Sequence, residues 1–284
     1  MTQVAFPGLG IDMFSIDPVA IRLFGLEIRW YGLIIVTGII LAFAYACYRS
    51  AKEGFTKDDM LDLFIYTVLC GVVGARLYYV LTSLERYDSF WQFFEIWNGG
   101  IGIYGGIIGG CLGILAVCKV KKKSFIRAFD MAAPAVMIGQ LVGRWGNFCN
   151  GEAYGDISKF EFFGKVFETP NASELPWIMQ VNSYASGYET VLAHPTFLYE
   201  SLWNLIGFLI INAVYKKKKF NGQICLMYFA WYGFGRMFIE GLRADSLYVG
   251  NIKISQLIGL LCAVLCSAAI VFILIKKKKE IKNG

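Results

Sequence analysis

One histidine in 284 residues, no Cys-x-x-Cys pair and no Gly-x-Ser-x-Gly elbow remove several familiar chemistries from this chain. A structural zinc takes about four cysteine or histidine ligands. The eight cysteines (Cys47, Cys70, Cys111, Cys118, Cys149, Cys225, Cys262 and Cys266) stand at no ligand spacing. They fall in or at the edge of apolar segments, where buried thiols serve as small apolar residues. A serine hydrolase needs a positioned Ser–His pair, and a lone histidine offers little for one. Charge is scarce too: 17% of the residues carry it, against about 25% in ordinary soluble domains. No internal repeat is visible, so the matched broken segments of an inverted-repeat transporter are missing.

What is present is apolar sequence in long runs. Hydrophobic residues make up 57% of the chain, and Trp30–Tyr48, Ile96–Cys118 and Ile254–Ile275 contain no charge at all. About 20 such residues cross a bilayer core as a helix. With interrupted stretches included, the pattern predicts an all-α, polytopic integral membrane protein with about seven transmembrane helices. They fall near 30–48, 61–82, 97–118, 128–149, 196–215, 222–241 and 254–275. Most of the 27 basic residues follow the first helix (Arg49, Lys52, Lys57), the third (Lys119, Lys121–Lys123, Arg127), the fifth (Lys216–Lys219) and the seventh (Lys276–Lys279, Lys282). The positive-inside rule then predicts an outer N-terminus and a cytoplasmic C-terminus. Each lysine run abuts a helix end, where topology and anionic headgroups explain it better than nucleic acid does. Residues 1–29 hold Asp12 and Asp17 and no basic cluster, unlike a cleavable signal peptide. They are expected as an outer N-terminal segment, and 151–195 as an outer-face cap, of one transmembrane domain over 1–284.

Four apolar segments are interrupted by charge: Arg76, Arg144, Glu200 and the pair Arg236/Glu240. Each such charge costs about 2.5–3.5 kcal/mol on insertion scales and marks a functional candidate. With the topology above, all are expected at one depth toward the outer side. The stretch 143–155, Gly-Arg-Trp-Gly-Asn-Phe-Cys-Asn-Gly-Glu-Ala-Tyr-Gly, adds Asn147, Asn150, Glu152 and Gly155 where the fourth helix ends. Arginine presents a planar fork that fits phosphate oxygens. A plain Arg144–Glu152 pair anchoring a turn is the competing account. Tyr232, Arg236 and Glu240 recur every four residues and share one helix face, with Arg243 just beyond. The glycines around Tyr104 read as tight helix packing, and Tyr104 itself as a hydrogen-bond donor. His194, before Pro195, is a structural contact or a catalytic base. Two membrane arginines at one depth need an anion, and an anionic phospholipid suits them.

At these residues the chain resembles the bacterial prolipoprotein diacylglyceryl transferase family. The likeness covers nearly the whole chain: Arg-Trp-Tyr-Gly at 29–32, the 143–155 signature, His-Pro-Thr-Phe-Leu-Tyr-Glu at 194–200 and Tyr-Gly-Phe-Gly-Arg-Met-Phe-Ile-Glu-Gly-Leu-Arg at 232–243. The resemblance implies transfer of the diacylglyceryl group of phosphatidylglycerol to the lipobox cysteine of a preprolipoprotein signal peptide. A thioether forms and glycerol phosphate leaves. It implies that Arg144 and Arg236 hold the phosphate, that Glu152 and Glu240 orient them, and that Tyr31, Asn147, Gly155 and Tyr232 shape the headgroup pocket. Arg76, Asn150, Glu200 and Arg243 are expected among the substrate-binding residues. No metal or soluble cofactor is required, and the partners are the two substrates and membrane lipid. The implied location is the bacterial cytoplasmic membrane, with the site facing the outer leaflet. One position departs from the family: Tyr104 stands where a histidine often precedes Gly-Gly, and tyrosine is a poor general base at neutral pH. His194, a carboxylate or the departing phosphate then remain as proton acceptors. The alternative from another class is an outward-facing transporter of phospholipid or an anionic solute.

Overall fold

The apolar runs form seven long helices: α1 (Trp30–Glu53), α2 (Lys57–Thr82), α3 (Ile103–Val120), α4 (Phe125–Asn150), α5 (Thr196–Tyr215), α6 (Gln223–Leu242) and α7 (Ile254–Asn283). This is a computed structural model, and it describes residues 1–283. Six of these helices are long and apolar enough to cross a membrane; α6, which carries Arg236 and Glu240, is not among them. The helix ends follow local chemistry. At the start of α2 the Thr56 side chain accepts from the Asp59 amide (3.1 Å), and the Asp59 carboxylate accepts from the Thr56 amide (2.9 Å). This reciprocal cap satisfies two amides that the helix leaves unpaired. The third helix begins at Ile103 rather than near 97, because Gly99 and Gly100 take positive φ (83° and 75°). That conformation suits glycine and ends helical propagation. In the other direction α7 continues through Lys276–Lys279, since lysine propagates a helix well and its charge favours the C-terminal end. Of the eight free cysteines only Cys118 is fully buried; the others are half-buried, a correction to their reading as buried thiols.

The chain divides into two units, Met1–Ala42 with the chain from Ala133 onward, and Phe43–Ala132. In the second unit α2 and α3 meet glycine to glycine. A Cβ on Gly74 would stand 3.0 Å from the Gly109 Cα, and one on Gly113 would stand 2.6 Å from the Tyr66 carbonyl oxygen. The expected packing role of the glycine-rich motif is therefore met. Phe55, Met60, Leu63, Val117, Cys118, Ala128 and Met131 form the core of this unit. Lys121 pairs with Asp62 (2.5 Å) and Lys123 with Asp59 (3.2 Å), so part of the basic cluster after α3 is tied down by carboxylates.

In the first unit α5 and α6 are joined by stacked indoles, Trp203 and Trp231, with centroids 4.3 Å apart. Each indole N–H donates to the other residue's carbonyl, at 3.0 and 2.9 Å. Gly207 and Gly235 leave room for those rings. Ala133, Met137, Ile211, Tyr215, Ile224 and Tyr228 pack nearby as a core.

Outside the helices this unit carries strands. A five-stranded antiparallel sheet runs in the order β2 (Ile11–Ile16), β1 (Thr2–Phe6), β8 (Met179–Asn182), β9 (Val191–His194), β5 (Gly155–Asp156). The expected outer N-terminal segment thus supplies strands to the same sheet as the expected cap. Val4, Met179, Val181 and Ala193 of the sheet cluster with Phe197 of α5 as a buried core. Three hairpins complete the strands: β3 (Val19–Leu23) with β4 (Leu26–Arg29), β6 (Lys159–Phe162) with β7 (Lys165–Glu168), and β10 (Tyr248–Val249) with β11 (Ile252–Lys253).

Candidate active site

Three arginines surround one buried carboxylate. Glu200, one turn into α5, is 3% exposed. Its Oε1 accepts from Arg236 Nη1 of α6 at 2.6 Å and from Arg243 Nη1, just past α6, at 3.4 Å. Its Oε2 faces Arg144 Nη2, near the end of α4, at 2.5 Å as an ion pair. Arg236 meets a second buried carboxylate, Glu240, at 2.5 Å one turn along its own helix. Arg243 binds Asp245 through two hydrogen bonds, from Nε at 3.0 Å and from Nη2 at 2.8 Å. Three positive and three negative side chains therefore form one connected network. Buried charges persist only when paired in this way. Removing one partner of a buried pair costs about 3–5 kcal/mol, because the other is left uncompensated.

The glycine-rich turn after α4 is fastened to this network through an asparagine. Asn147 Oδ1 accepts from Arg144 Nη1 at 3.3 Å, and Asn147 Nδ2 donates to Glu152 Oε1 at 3.1 Å. Asn150 Nδ2 donates to the same oxygen at 3.2 Å. The direct Arg144–Glu152 pair is not formed, which corrects the simple-anchor account. Glu200 is the ion-pair partner of Arg144, and Glu152 reaches that arginine through Asn147. Gly151 (φ 62°) turns the chain, and its carbonyl accepts from Ser183 Oγ at 2.6 Å. Gly155 is enclosed: a Cβ there would meet the His194 Cβ at 2.9 Å, Thr196 Cγ2 at 3.0 Å and the Leu242 carbonyl at 3.1 Å. Gly155 also forms a β-bridge with Arg243, which ties the turn to the end of α6.

Tyr31 lies across Gly146, whose Cβ would stand 2.8 Å from the ring. Tyr232 stacks on Tyr228, centroids 5.7 Å apart, one turn before Arg236. His194 is buried, its Nδ1 is 3.1 Å from the Tyr199 hydroxyl, and burial lowers its pKa against the pull of Asp156. Burial thus favours its neutral form.

Arg76 and Tyr104 belong to the second unit. Arg76 donates to four backbone carbonyls: Phe93 at 2.8 Å, Gln92 at 2.7 Å, Gly99 at 2.6 Å and Gly100 at 2.9 Å. Through these bonds it braces the segment between α2 and α3. Tyr104 packs against Tyr78, centroids 6.0 Å apart.

Sequence reasoning missed the support at the end of α6. Lys253, 2% exposed, donates to the carbonyls of Arg243 (2.8 Å) and Glu240 (3.1 Å). Gln256 Nε2 donates to the carbonyls of Glu161 (2.7 Å) and Met237 (3.2 Å). A lysine directly before the apolar run of α7 was the available signal. Asp245 was also missed, although it lies two residues from Arg243.

The model of the prolipoprotein diacylglyceryl transferase family matches residues 18–274. The chain is 39% identical over 272 residues to the phosphatidylglycerol–prolipoprotein diacylglyceryl transferase of Lysinibacillus sphaericus, covering 95% of this chain and 97% of that one. It is 40% identical to transferase 1 of the same description from Clostridium perfringens, covering 94% and 98%. A Staphylococcus aureus relative of that description is 40% identical, covering 94% and 93%.

Proposed function

The chain belongs to the prolipoprotein diacylglyceryl transferase family, and from that premise we propose that the Glu200-centred cluster of arginines is where phosphatidylglycerol gives up its diacylglyceryl group. The protein is a membrane transferase of the first step of lipoprotein maturation, with phosphatidylglycerol as donor and a prolipoprotein as acceptor. The relatives give no support to the transporter alternative.

The acceptor is a lipobox cysteine. Its thiol loses a proton, and the sulfur attacks the glyceryl carbon bonded to phosphate oxygen. The carbon–oxygen bond breaks, a thioether forms, and glycerol phosphate departs with the bonding pair. Negative charge grows on the departing phosphate, so donors fixed around that oxygen lower the barrier; one such donor is worth about 10²–10³ in rate. Arg144 from α4, with Arg236 and Arg243 from α6 and its C-terminal end, converges on one anionic position, now held by Glu200, and this convergence carries the proposal. The lipid phosphate shares the guanidiniums with Glu200. Glu240, and Glu152 through Asn147, keep Arg236 and Arg144 aimed. Tyr31, Asn150, Gly155 and Tyr232 wall the headgroup. Tyr104 contributes a hydrogen bond rather than a base, and His194 or the departing phosphate receives the proton.

The basic clusters after α1, α3, α5 and α7 support a cytoplasmic C-terminus and a site open to the outer leaflet of the plasma membrane. The whole chain is read as one transferase domain serving this reaction.

Purified protein, phosphatidylglycerol and a synthetic lipobox peptide test the reading by intact mass. A diacylglyceryl increment appears on the peptide, and it is absent with a Cys→Ser peptide. It falls at least about 10²-fold with Arg144→Ala or Arg236→Ala in protein that remains folded. Full activity in either variant removes the clamp. In the same assay Tyr104→Phe keeps the shape of the pH profile, and a displaced alkaline limb would make the tyrosine the proton acceptor.

A further inference from the structure

The first unit holds an apolar groove of about 790 Å³, in the size range of ligand sites. Phe160 and Phe162 of β6, Phe167 of β7, Leu175, His194 and Leu242 line it. Phe160 stands opposite Phe167 in the hairpin ladder, and its ring stacks with that of Phe162 at 5.9 Å. Gly241, at the end of α6, leaves the space that the Phe160 ring occupies.

Two residues of the groove's lining are neighbours of the charged cluster in the chain and in the strand ladder. Leu242 forms its wall, and the next residue, Arg243, reaches Glu200 at 3.4 Å. His194 forms another part of the wall and pairs in the ladder with Gly155, which bridges to Arg243. Resting on the transferase reading above, we propose that this groove takes an extended apolar segment of the acceptor polypeptide, the residues beside its reactive cysteine.

Three observations favour that occupant over an acyl chain. The groove adjoins the place where the thiol must meet the phosphate, and an extended chain covers about 3.3 Å per residue, so a few residues bridge the two. It also lies past the C-terminal end of α6, among strands outside the long helices, whereas acyl tails stay in the bilayer. Finally, β7 pairs only with β6 among the described strands and is exposed along its length. Its free edge offers backbone N–H and C=O groups to an added strand.

Phe167→Asp and Leu175→Trp test the assignment, since one places a charge in the groove, the other fills it, and both stand outside the charged cluster. With peptide and phosphatidylglycerol titrated separately, each variant raises the KM for an apolar acceptor peptide about tenfold, while kcat and the lipid KM stay within about twofold. A peptide whose residues flanking the cysteine are changed to serine loses affinity for the unmodified protein and loses nothing further in Phe167→Asp. A raised lipid KM would give the groove to an acyl chain instead, and unchanged KM values for both substrates would empty it of any role. Unmodified protein that transfers nothing to any peptide would fell the transferase reading first. Normal transfer with insensitive variants would overturn only the groove.

Discussion

Glu200 meets three arginines, and although its place in an apolar run marks it as a candidate, nothing in its local sequence gives it that many partners. Its partners Arg144, Arg236 and Arg243 are distant in the chain, so only the packing of α4, α5 and α6 shows one carboxylate serving three cations. Glu200→Gln preserves shape and removes the charge; transfer should fall about 10²–10³-fold and stability by about 3–5 kcal/mol. Asp245→Asn, at a carboxylate 53% exposed, should cost under about 1 kcal/mol. Equal losses in the mass assay and in thermal unfolding would remove Glu200 from its central place. Arg76 shows the opposite failure of legibility: a charge in an apolar run reads the same whether it meets substrate or backbone carbonyls. His194 carries a pH signature of its own. Burial holds it below the usual imidazole range, so near pH 6.5 the unfolded chain gains a proton that the folded chain refuses. Its contribution to stability is complete above about pH 6.5 and is lost as pH falls toward the folded value. His194→Gln should flatten the acid side of the melting-temperature profile, and an unaltered slope would contradict the assignment.

Helices were readable from the sequence because a membrane span is a local property, set by some twenty neighbouring residues. The error at the start of α3 came from Gly99 and Gly100, which are apolar enough to extend a hydropathy run yet take positive φ. Strands were not readable. β1, β8, β9 and β5 are two to five residues long, and their pairing joins the first residues to those near 180 and 194. At the end of α6, Lys253 adds a charged donor to the carbonyls of Glu240 and Arg243, where a cation also suits the helix dipole. Lys253→Met should destabilise the protein by about 1.5–3 kcal/mol by removing a buried charged hydrogen-bond donor. Amide exchange should quicken in the last turn of α6, around Glu240 and Gly241. Exchange that is faster everywhere except there would refute the cap.

For the whole molecule, the basic clusters make a prediction about sidedness. A reporter fused after α7 should be active only in the cytoplasm, and single cysteines placed in 159–175 should react with an impermeant maleimide from outside. The reverse pattern would overturn the outer-leaflet site. The arrangement of the five-stranded sheet also imposes an order in time. Val4 of β1 lies opposite Val181 of β8, so β1 waits for a strand made after four helices have followed it. At ribosomal speeds that interval is roughly 10–40 s. Until it closes, the newborn hairpin of β1 and β2 presents an unpaired edge, and the five-stranded sheet is completed late however early β1 emerges.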